Sequence, residues 1–313
     1  MRKLRVAVVG AGYLGRFHAQ KFHSITAADL VGICDIDAEA GGDLTRTTET
    51  AYYADYRNLA GKVDAVTIAA STSAHYELAK FFLENNVHVL VEKPMTNTSA
   101  QGRELTALAD TRGLKLQVGH VERFNPALLS ARDRLGAVQF IECHRLAPFK
   151  GRGADVNVVL DLMIHDLDVI LSLVTGEPSL VSAVGISVLT SSVDIANARV
   201  EFDTGAIANV TASRVSTSTQ RKFRVFQKHQ YLSIDFGAGE VQLIAHTGNA
   251  SEEQPTPTQE SWNLEKGDAL AAEVGSFVES ILENKPCEVS GHDGVAALKL
   301  AEEIIADIDR RKF

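Results

Sequence analysis

Residues suited to phosphate binding and to proton transfer gather in a few short parts of this 313-residue sequence. An apolar run near the start leads into Gly10-Ala11-Gly12-Tyr13-Leu14-Gly15, and Asp35 follows 20 residues after Gly15. Lys93 lies between a glutamate and a proline, and a later segment carries Asp161 and His165. Glycine turns of this spacing bind phosphates, and lysine and histidine side chains carry protons. The sequence therefore predicts a nucleotide site and a separate group of acid–base residues.

The glycine turn has the spacing of a dinucleotide-binding fingerprint. Gly10 permits the tight turn, Gly12 lets the backbone approach a pyrophosphate, and Gly15 lets the following helix pack closely on the strand. The helix N-terminus, at Tyr13 and Leu14, offers free N–H groups to the phosphates. Asp35 can accept hydrogen bonds from both ribose hydroxyls and repels a 2′-phosphate, which favours NAD over NADP. A purely structural glycine turn is the alternative.

Further cofactor-binding residues are expected where later strands end, because ligands of such sheets bind at the carboxyl ends of the strands. Ser71 and Thr72 follow the apolar run 65–70, with His75 opening the next helix, and Glu92 and Lys93 follow the apolar run 87–91. Other histidines, His18 among them, read as ordinary structural residues. The predicted cofactor-binding set is Gly10, Gly12, Tyr13, Leu14, Gly15, Asp35, Ser71, Thr72, His75, Glu92 and Lys93.

Lys93 is a candidate for proton transfer. A lysine near a bound nicotinamide can relay a proton or polarise a hydroxyl when its surroundings favour the neutral amine. A surface lysine at the end of a strand is the plain alternative, and the residue types alone leave both readings open.

The segment 155–174 is predicted to be a helix with two different faces. Apolar residues recur at helical spacing on one side, whereas Asp161, His165, Asp168 and Ser172 form a narrow stripe on the other. The segment carries no lysine, arginine or glutamate, which solvated faces usually have. The stripe favours a partly buried site in which a carboxylate orients the imidazole, with a solvated face as the alternative. No metal site is predicted, because a second histidine or cysteine is missing nearby.

Alternating strands and helices must position these residues in the first part of the chain. Short Val- and Ile-rich runs at 4–9, 30–34, 65–70, 87–91 and 114–118 alternate with helical patterns at 13–22, 74–84 and 99–111. This pattern predicts a doubly wound parallel sheet, a Rossmann domain, over residues 1–120.

A second, α+β domain is expected over residues 121–313, with an open and largely antiparallel sheet. After helices at 125–135 and 156–174, strands are predicted at 180–189, 196–202, 206–213, 222–227, 231–236 and 241–245, besides one at 137–146. Residues 247–267 read as a loop, and two helices at 268–283 and 294–310 close the chain.

Composition narrows the class of protein. The net charge is −9, without a strongly basic run, which argues against nucleic-acid binding. Apolar stretches end well before 18 residues, so no membrane span is expected, and the first residues do not resemble a secretion signal. The three cysteines are far apart and odd in number, which favours the reducing cytoplasm.

These motifs together resemble the Gfo/Idh/MocA oxidoreductases (glucose–fructose oxidoreductase and inositol dehydrogenase-like proteins) over essentially the whole chain. The resemblance rests on the glycine turn, on the runs 71–75, 91–94 and 123–126, on Asp161…His165…Asp168, and on 290–294. It implies an NAD-dependent dehydrogenase that acts on CH–OH groups, typically a ring hydroxyl of a sugar, cyclitol or nucleotide-sugar. It also implies a homo-oligomer, a dimer or tetramer, formed through the C-terminal sheet.

The same resemblance implies the roles of individual residues. Lys93, Asp161 and His165 form the catalytic group, and Arg123, Asn125, Arg152, Asp161 and His165 contact the substrate. The run 119–126 is similar to that of members that oxidise the 3-hydroxyl of UDP-N-acetylglucosamine. Arg145, Lys150 and Arg152 are candidates to meet a substrate diphosphate, with an ordinary basic loop as the alternative.

Other functions stay open at this point. An NAD-dependent glycosidase would use the same residues for a transient oxidation, and a non-catalytic NAD sensor would keep the fold without the chemistry. A reductase would run the same reaction in the opposite direction. Lys93 and His165 are both candidates for the base, and their side chains are expected to converge beside the bound coenzyme.

Overall fold

The computed structural model describes residues 3–149, 156–246, 257–265 and 267–311. These residues form two compact units: those within Met1–Val121 and Asp268–Leu298 make up the first, and those within Glu122–Gly267 and Lys299–Phe313 the second. The late segment 268–298 thus packs with the N-terminal part of the chain.

A parallel sheet forms the centre of the first unit. In the described residues its strands are β1 Leu4–Val9, β2 Ala28–Cys34, β3 Ala51–Tyr53, β4 Ala65–Ile68, β5 His88–Glu92 and β6 Leu116–Gly119. Their spatial order is β3-β2-β1-β4-β5-β6, and all the pairings are parallel. The order reverses between β1 and β4, which is where such sheets bind their ligands. The prediction of a doubly wound Rossmann sheet is confirmed.

Helices cover this sheet and close its core. They are α1 Tyr13–Ser24, α2 Ala38–Thr48, α3 Thr72–Glu84 and α4 Ser99–Arg112. Asp37 caps α2 by accepting the N–H of Glu39 at 2.9 Å. From the end of the chain come α7 Ala269–Leu282 and the first turns of α8 Gly291–Arg310. Val274 and Phe277 of α7 are fully buried in the same apolar cluster as Phe22 of α1.

The second unit is built on a mixed, mostly antiparallel sheet. Its described strands are β7 Val138–Leu146, β8 Pro178–Ile186, β9 Ile195–Phe202, β10 Ile207–Ser213, β11 Gln220–Gln227, β12 Gln230–Asp235, β13 Glu240–His246 and β14 Pro257–Asn263. Their order is β14-β13-β12-β11-β7-β10-β9-β8, with β7 and β10 parallel and the other neighbours antiparallel. The open, largely antiparallel sheet is therefore confirmed.

The expectation of a loop throughout 247–267 is wrong for residues 257–263, which form the edge strand β14. Most of its side chains are exposed, and its main chain pairs with β13. A strand held at an edge by main-chain hydrogen bonds needs no buried face, so its sequence lacks the alternating apolar pattern that predicts strands.

Helices pack on one face of this second sheet. They are α5 Pro126–Ala131, a π-helical turn at Val159–Met163 that continues into α6 Ile164–Leu173, and the last turns of α8. Val159, Met163, Leu167 and Ile170 are fully buried in the core cluster. Among the described residues, no helix combines the length and the apolar character that crossing a membrane requires.

Candidate active site

The glycine turn between β1 and α1 has the geometry of a phosphate cradle. Gly10 has φ +103°, and a Cβ atom there would lie 2.5 Å from the carbonyl oxygen of Ala69. A Cβ atom on Gly15 would lie 1.8 Å from the carbonyl oxygen of Gly10, so both positions require glycine. By contrast, a Cβ atom on Gly12 meets no described atom within 4 Å. The open space at Gly12, next to the first N–H groups of α1, fits a pyrophosphate.

Asp35 lies beside this turn, at the end of β2. Its Oδ2 accepts the N–H of Ala11 at 2.5 Å and its Oδ1 accepts the N–H of Asp37 at 2.8 Å. The Tyr52 hydroxyl also donates to the main-chain oxygen of Asp35, at 2.9 Å. The carboxylate is therefore held next to the glycine turn with lone pairs left for ribose hydroxyls.

A cavity of about 480 Å³ joins Asp35 to the glycine turn. Burial, with the nearby Asp35 and Asp55 carboxylates, raises the pKa of the Cys34 thiol in its wall to about 12, so this cysteine stays protonated. The last residues of β1 and β2 and the segments that follow β1, β2, β3 and β4 line the cavity: Val9, Gly10, Gly12, Cys34, Asp35, Ile36, Ala54, Tyr56, Ala69, Ala70, Ser71, Ala74 and Leu78. The cavity lies at the switch of strand order, and Gly10, Gly12, Asp35 and Ser71 of the predicted cofactor-binding set line it.

His75, in the first turn of α3, lies between the segment that follows β4 and the turn that follows Lys93. Its side chain is buried, with Nδ1 3.0 Å from the carbonyl oxygen of Pro94 and Nε2 3.1 Å from that of Ala70. Burial lowers the pKa of this imidazole, and the two carbonyl contacts offset the effect only in part. A neutral ring has one N–H, so it donates to only one of the two carbonyls, either that of Ala70 after β4 or that of Pro94 after Lys93.

The turn that carries Lys93 is held through its neighbour Glu92. Oε1 of Glu92 lies 2.7 Å from Nε2 of His18, and its Oε2 accepts the N–H of Lys93 at 3.3 Å. Lys93 itself is half-buried. His18 was read as an ordinary histidine in the sequence, although it lies on the inner face of α1 with the buried Gly15, Ala19 and Phe22. The sequence signal for a buried His18 is its position, as a polar residue, on the otherwise apolar face of this helix.

Asp161 and His165 lie in the second unit, near the start of the α6 region. Asp161 is part of the π-helical turn and His165 belongs to the first turn of α6, and both are half-buried. The predicted continuous helix thus begins at 159, with a local widening that is frequent at functional sites. Asp168 is buried 3.8 Å from Nη1 of Arg123, whereas Ser172 is exposed and donates to the carbonyl oxygen of Val169.

Arg145 does not offer its side chain to a substrate diphosphate. It is buried and donates to both oxygens of Asp166, at 2.9 and 2.8 Å, and to Oε1 of Glu122 at 2.9 Å. Burial acts to raise the pKa of Glu122, but the Arg145 guanidinium outweighs it and holds that pKa below its usual value. The network anchors α6 to β7 and to the segment before α5.

The other predicted substrate residues have structural contacts as well. Asn125 caps α5 by accepting the N–H of Ala127 at 3.0 Å and donates to Oε2 of Glu122, also at 3.0 Å. Lys150 and Arg152 lie outside the described residues. Lys93 belongs to the first unit, whereas Asp161 and His165 belong to the second, and the convergence of the three stays a prediction.

The sequence matches two family models along most of its length. Residues 4–120 match the Gfo/Idh/MocA oxidoreductase family with an NAD-binding Rossmann fold, and residues 129–232 match the Gfo/Idh/MocA C-terminal domain. These models cover the glycine turn, Lys93 and the segment with Asp161 and His165.

Relatives with known names agree with these matches. UDP-N-acetylglucosamine 3-dehydrogenase of Acidithiobacillus ferrooxidans is 36% identical over 305 residues, which are 97% of each chain. A solved structure of that protein superposes with a TM-score of 0.93, at 35% identity over 99% of each chain. Inositol 2-dehydrogenase of Rhizobium meliloti is 25% identical over 99% of this chain and 98% of its own.

A more distant solved structure shows the same fold. Scyllo-inositol dehydrogenase of Lactobacillus casei, described with bound NAD(H) and scyllo-inositol, superposes with a TM-score of 0.82 at 19% identity, over 99% of this chain and 98% of its own. The predicted enzyme class, a dehydrogenase acting on CH–OH groups, is confirmed by the relatives' names. The chain therefore belongs to the Gfo/Idh/MocA family of oxidoreductases, and its cofactor is NAD.

Proposed function

We propose that this protein is an NAD-dependent dehydrogenase that oxidises the 3-hydroxyl of UDP-N-acetylglucosamine. The observation that carries the proposal is the 36% identity to a UDP-N-acetylglucosamine 3-dehydrogenase, which extends over 97% of both chains. The aligned residues extend over both units. Lys93, Asp161 and His165, which the family resemblance marks as catalytic, are all present.

The first unit supplies the cofactor site. In the proposal, the N–H groups at Gly12, Tyr13 and Leu14 bind the pyrophosphate, and Gly10 and Gly15 keep the turn tight enough for them to do so. Asp35 accepts hydrogen bonds from the ribose hydroxyls. Ser71, Thr72, His75, Glu92 and Lys93 complete the cofactor-binding set, with buried His75 acting through the loop carbonyl to which it donates.

The acid–base residues act on the substrate hydroxyl. Bound NAD supplies the acceptor for the hydride that leaves the carbinol carbon. His165, oriented by Asp161, and Lys93 both hydrogen-bond the hydroxyl oxygen, and one of the two takes its proton while the other stabilises the developing negative charge. Arg123 and Asn125 contribute to substrate binding, together with Arg152 from outside the described residues.

The test is NADH formation by the purified protein with a panel of substrates. UDP-N-acetylglucosamine is compared with UDP-glucose, myo-inositol and scyllo-inositol, each with NAD and with NADP. We expect UDP-N-acetylglucosamine with NAD to give the highest kcat/KM and a 3-keto product by mass spectrometry. A cyclitol that is preferred by tenfold would reject the proposed substrate while leaving the enzyme class intact.

The same experiment separates the alternative functions. A glycosidase with transient oxidation releases free sugar without net NADH. A sensor binds NAD but turns over none of the compounds. Supplying the 3-keto product with NADH measures the reverse reaction, and the ratio of the two rates at cellular substrate levels indicates the physiological direction.

We also propose that the protein is a cytoplasmic homo-oligomer that associates through its C-terminal sheet. On the face of β8 away from the core, Leu180, Val184 and Ile186 are 55%, 40% and 54% exposed. Farther along the sheet, the rings of Phe226 and Tyr231 lie 4.9 Å apart. An apolar surface of this kind is typical of a subunit interface. Light scattering coupled to size-exclusion chromatography tests the assembly, and a monomeric mass at assay concentrations would contradict it.

A further inference from the structure

His18 is a fully buried histidine that the proposed reaction does not use. It lies on α1, three residues after Gly15, and its side chain is 0% exposed. Its Nδ1 lies 3.2 Å from the Thr67 hydroxyl of β4, and its Nε2 lies 2.7 Å from Oε1 of Glu92 at the end of β5. The Thr67 hydroxyl can donate to Nδ1 while the ring donates its Nε2–H to the carboxylate, which satisfies both nitrogens in one tautomer.

Glu92 transmits this contact to the main chain of Lys93. Its second oxygen, Oε2, accepts the N–H of Lys93 at 3.3 Å. The carboxylate is also packed against the end of β6, where a Cβ atom on Gly119 would lie 3.0 Å from Oε2. A glutamate confined in this way has one oxygen on His18 and the other on the Lys93 peptide, so moving the imidazole moves the turn.

A second carboxylate, that of Glu273, lies beside the contact between His18 and Glu92. Glu273 of α7 is fully buried, and an oxygen of its carboxylate, an oxygen of the Glu92 carboxylate and a ring nitrogen of His18 lie within 4.8 Å of one another. In their charged forms, two carboxylates at this separation would repel each other, and a donated hydrogen bond offsets that cost. The Nε2–H of His18 can supply that hydrogen bond to Oε1 of Glu92, whose other oxygen accepts the N–H of Lys93.

We propose that His18 is a positioning residue for Lys93: through Glu92 it fixes the turn that presents the Lys93 side chain for the reaction. The inference rests on the proposed function, because it assigns His18 to the same proton-transfer step. It goes beyond that function in naming a residue that touches neither substrate nor cofactor. Misplacing a reacting group by about 1 Å lowers turnover by about a hundredfold. The contacts from His18 through Glu92 to Lys93, which we call the clamp, therefore have a measurable effect on turnover.

The three side chains would also be spaced to hold a divalent metal ion. The hydrogen bonds favour the clamp instead. A nitrogen that donates its hydrogen to Glu92 has no lone pair for a metal, and the other ring nitrogen faces the hydroxyl of Thr67. Elemental analysis of the purified protein distinguishes the two, because a stoichiometric metal that H18Q loses would overturn the clamp.

The experiment compares H18L, which removes the donor, with H18Q, whose amide can donate to the same oxygen of Glu92. The matched control is H88Q, because His88 lies at the opposite end of β5 and its Nδ1 accepts the N–H of Lys115. We expect H18L to lower kcat at least about tenfold with the Kd for NAD within about threefold, and H18Q to recover most of the loss. We expect H88Q to keep both kcat and the Kd for NAD near their wild-type values.

A purely structural role for His18 predicts a different pattern. In that case H18L lowers thermal stability, NAD affinity and kcat together, and H18Q does not restore kcat, which overturns the proposal. Unchanged kcat in folded H18L also overturns it. If H18L does not fold, T67V and H18Q provide the test. T67V removes only the Thr67 hydroxyl that faces Nδ1 of His18, and we expect it to lower kcat severalfold. A wild-type kcat in T67V would refute the clamp.

A readout without substrate separates this inference from the proposed function. An amine-reactive reagent labels Lys93 and the half-buried Lys222 of β11, and mass spectrometry gives the ratio of the Lys93 labelling rate to the Lys222 labelling rate. A clamp predicts that the ratio rises severalfold in H18L and stays near wild type in H18Q and H88Q. If wild-type protein oxidises none of the substrates, the proposed function fails. Equal labelling ratios in wild type and H18L would reject the clamp itself.

Discussion

The glycine turn gives a prediction that separates cofactor binding from folding at adjacent positions. Gly10 and Gly12 lie in the same turn, but only Gly10 has a positive φ and a close backbone neighbour, the carbonyl oxygen of Ala69. A Cβ atom on Gly12 points into open space among the described residues. We therefore expect G10A to weaken the fold, and G12A to weaken NAD binding while leaving the fold intact.

The expected sizes follow from these contacts. G10A combines an unfavourable backbone conformation with a clash at 2.5 Å, which together cost about 3 kcal/mol and lower the Tm by about 6–12 °C. In G12A the free energy of unfolding changes by less than about 0.5 kcal/mol. Its methyl group holds the pyrophosphate away from the N–H groups of α1, and losing one charge-assisted hydrogen bond costs about 1.5–3 kcal/mol, or about 10- to 150-fold in Kd.

Calorimetric titration with NAD and thermal denaturation with and without NAD measure both effects. Wild-type protein gains stability with rising NAD, and at the same concentration a tenfold weaker Kd reduces that gain by about 1.4 kcal/mol. Wild-type NAD affinity in G12A would refute the placement of the pyrophosphate at Gly12. A Tm for G12A as low as that of G10A would show that the space at Gly12 is not open.

Three further predictions concern the reaction, the cofactor and stability. K93M and H165N each lower kcat by about 10²- to 10⁴-fold with the Kd for NAD within about threefold, and stopped-flow NADH formation with NAD titration checks both values; wild-type turnover in both variants would remove the proposed mechanism. D35N removes the charge that repels a 2′-phosphate and raises the kcat/KM ratio of NADP to NAD at least about tenfold, whereas an unchanged ratio would show that Asp35 does not face the ribose. Burial acts to raise the pKa of Asp194, but the N–H groups of Leu189 and Thr190, the Thr190 hydroxyl and Arg214 outweigh it and hold that pKa well below its usual value. The unfolded state therefore binds more protons, and the stabilisation from Asp194 is lost as pH falls from about 4 through the folded pKa. Urea denaturation from pH 7 down through this range should show that D194N is about 2–4 kcal/mol less stable than wild type at pH 7 and that its stability depends less on acid. Parallel acid profiles of the two proteins would contradict the assignment.

Sequence patterns predicted the long, buried elements of the fold and failed for the short or exposed ones. Strands such as β1 and β5 are continuous apolar runs because both faces of the sheet are covered. The three residues of β3 are too few to show a pattern, and β14 has an exposed polar face. Helix α2 contains the pair Gly41-Gly42, which lowers its helix propensity, and it forms because tertiary packing and the Asp37 cap compensate.

The sequence by itself determined the parts of the site that depend on local spacing. The glycine turn, the acidic residue after β2, Lys93 at the end of β5 and the segment with Asp161 and His165 were all readable, because each requires a residue type at a fixed distance from a strand or helix end. Motifs of this kind also indicate the family.

Only the tertiary structure decided which polar residues are buried partners. His18 meets Glu92 across 74 positions of sequence, and Arg145 meets Asp166 across 21. From the sequence, Arg145 is either a candidate to meet a phosphate or part of an ordinary basic loop, and the structure instead encloses it by carboxylates. Local spacing can indicate burial, as it does for His18 on the apolar face of α1, but it does not identify a long-range partner, because that pairing arises only when distant segments pack.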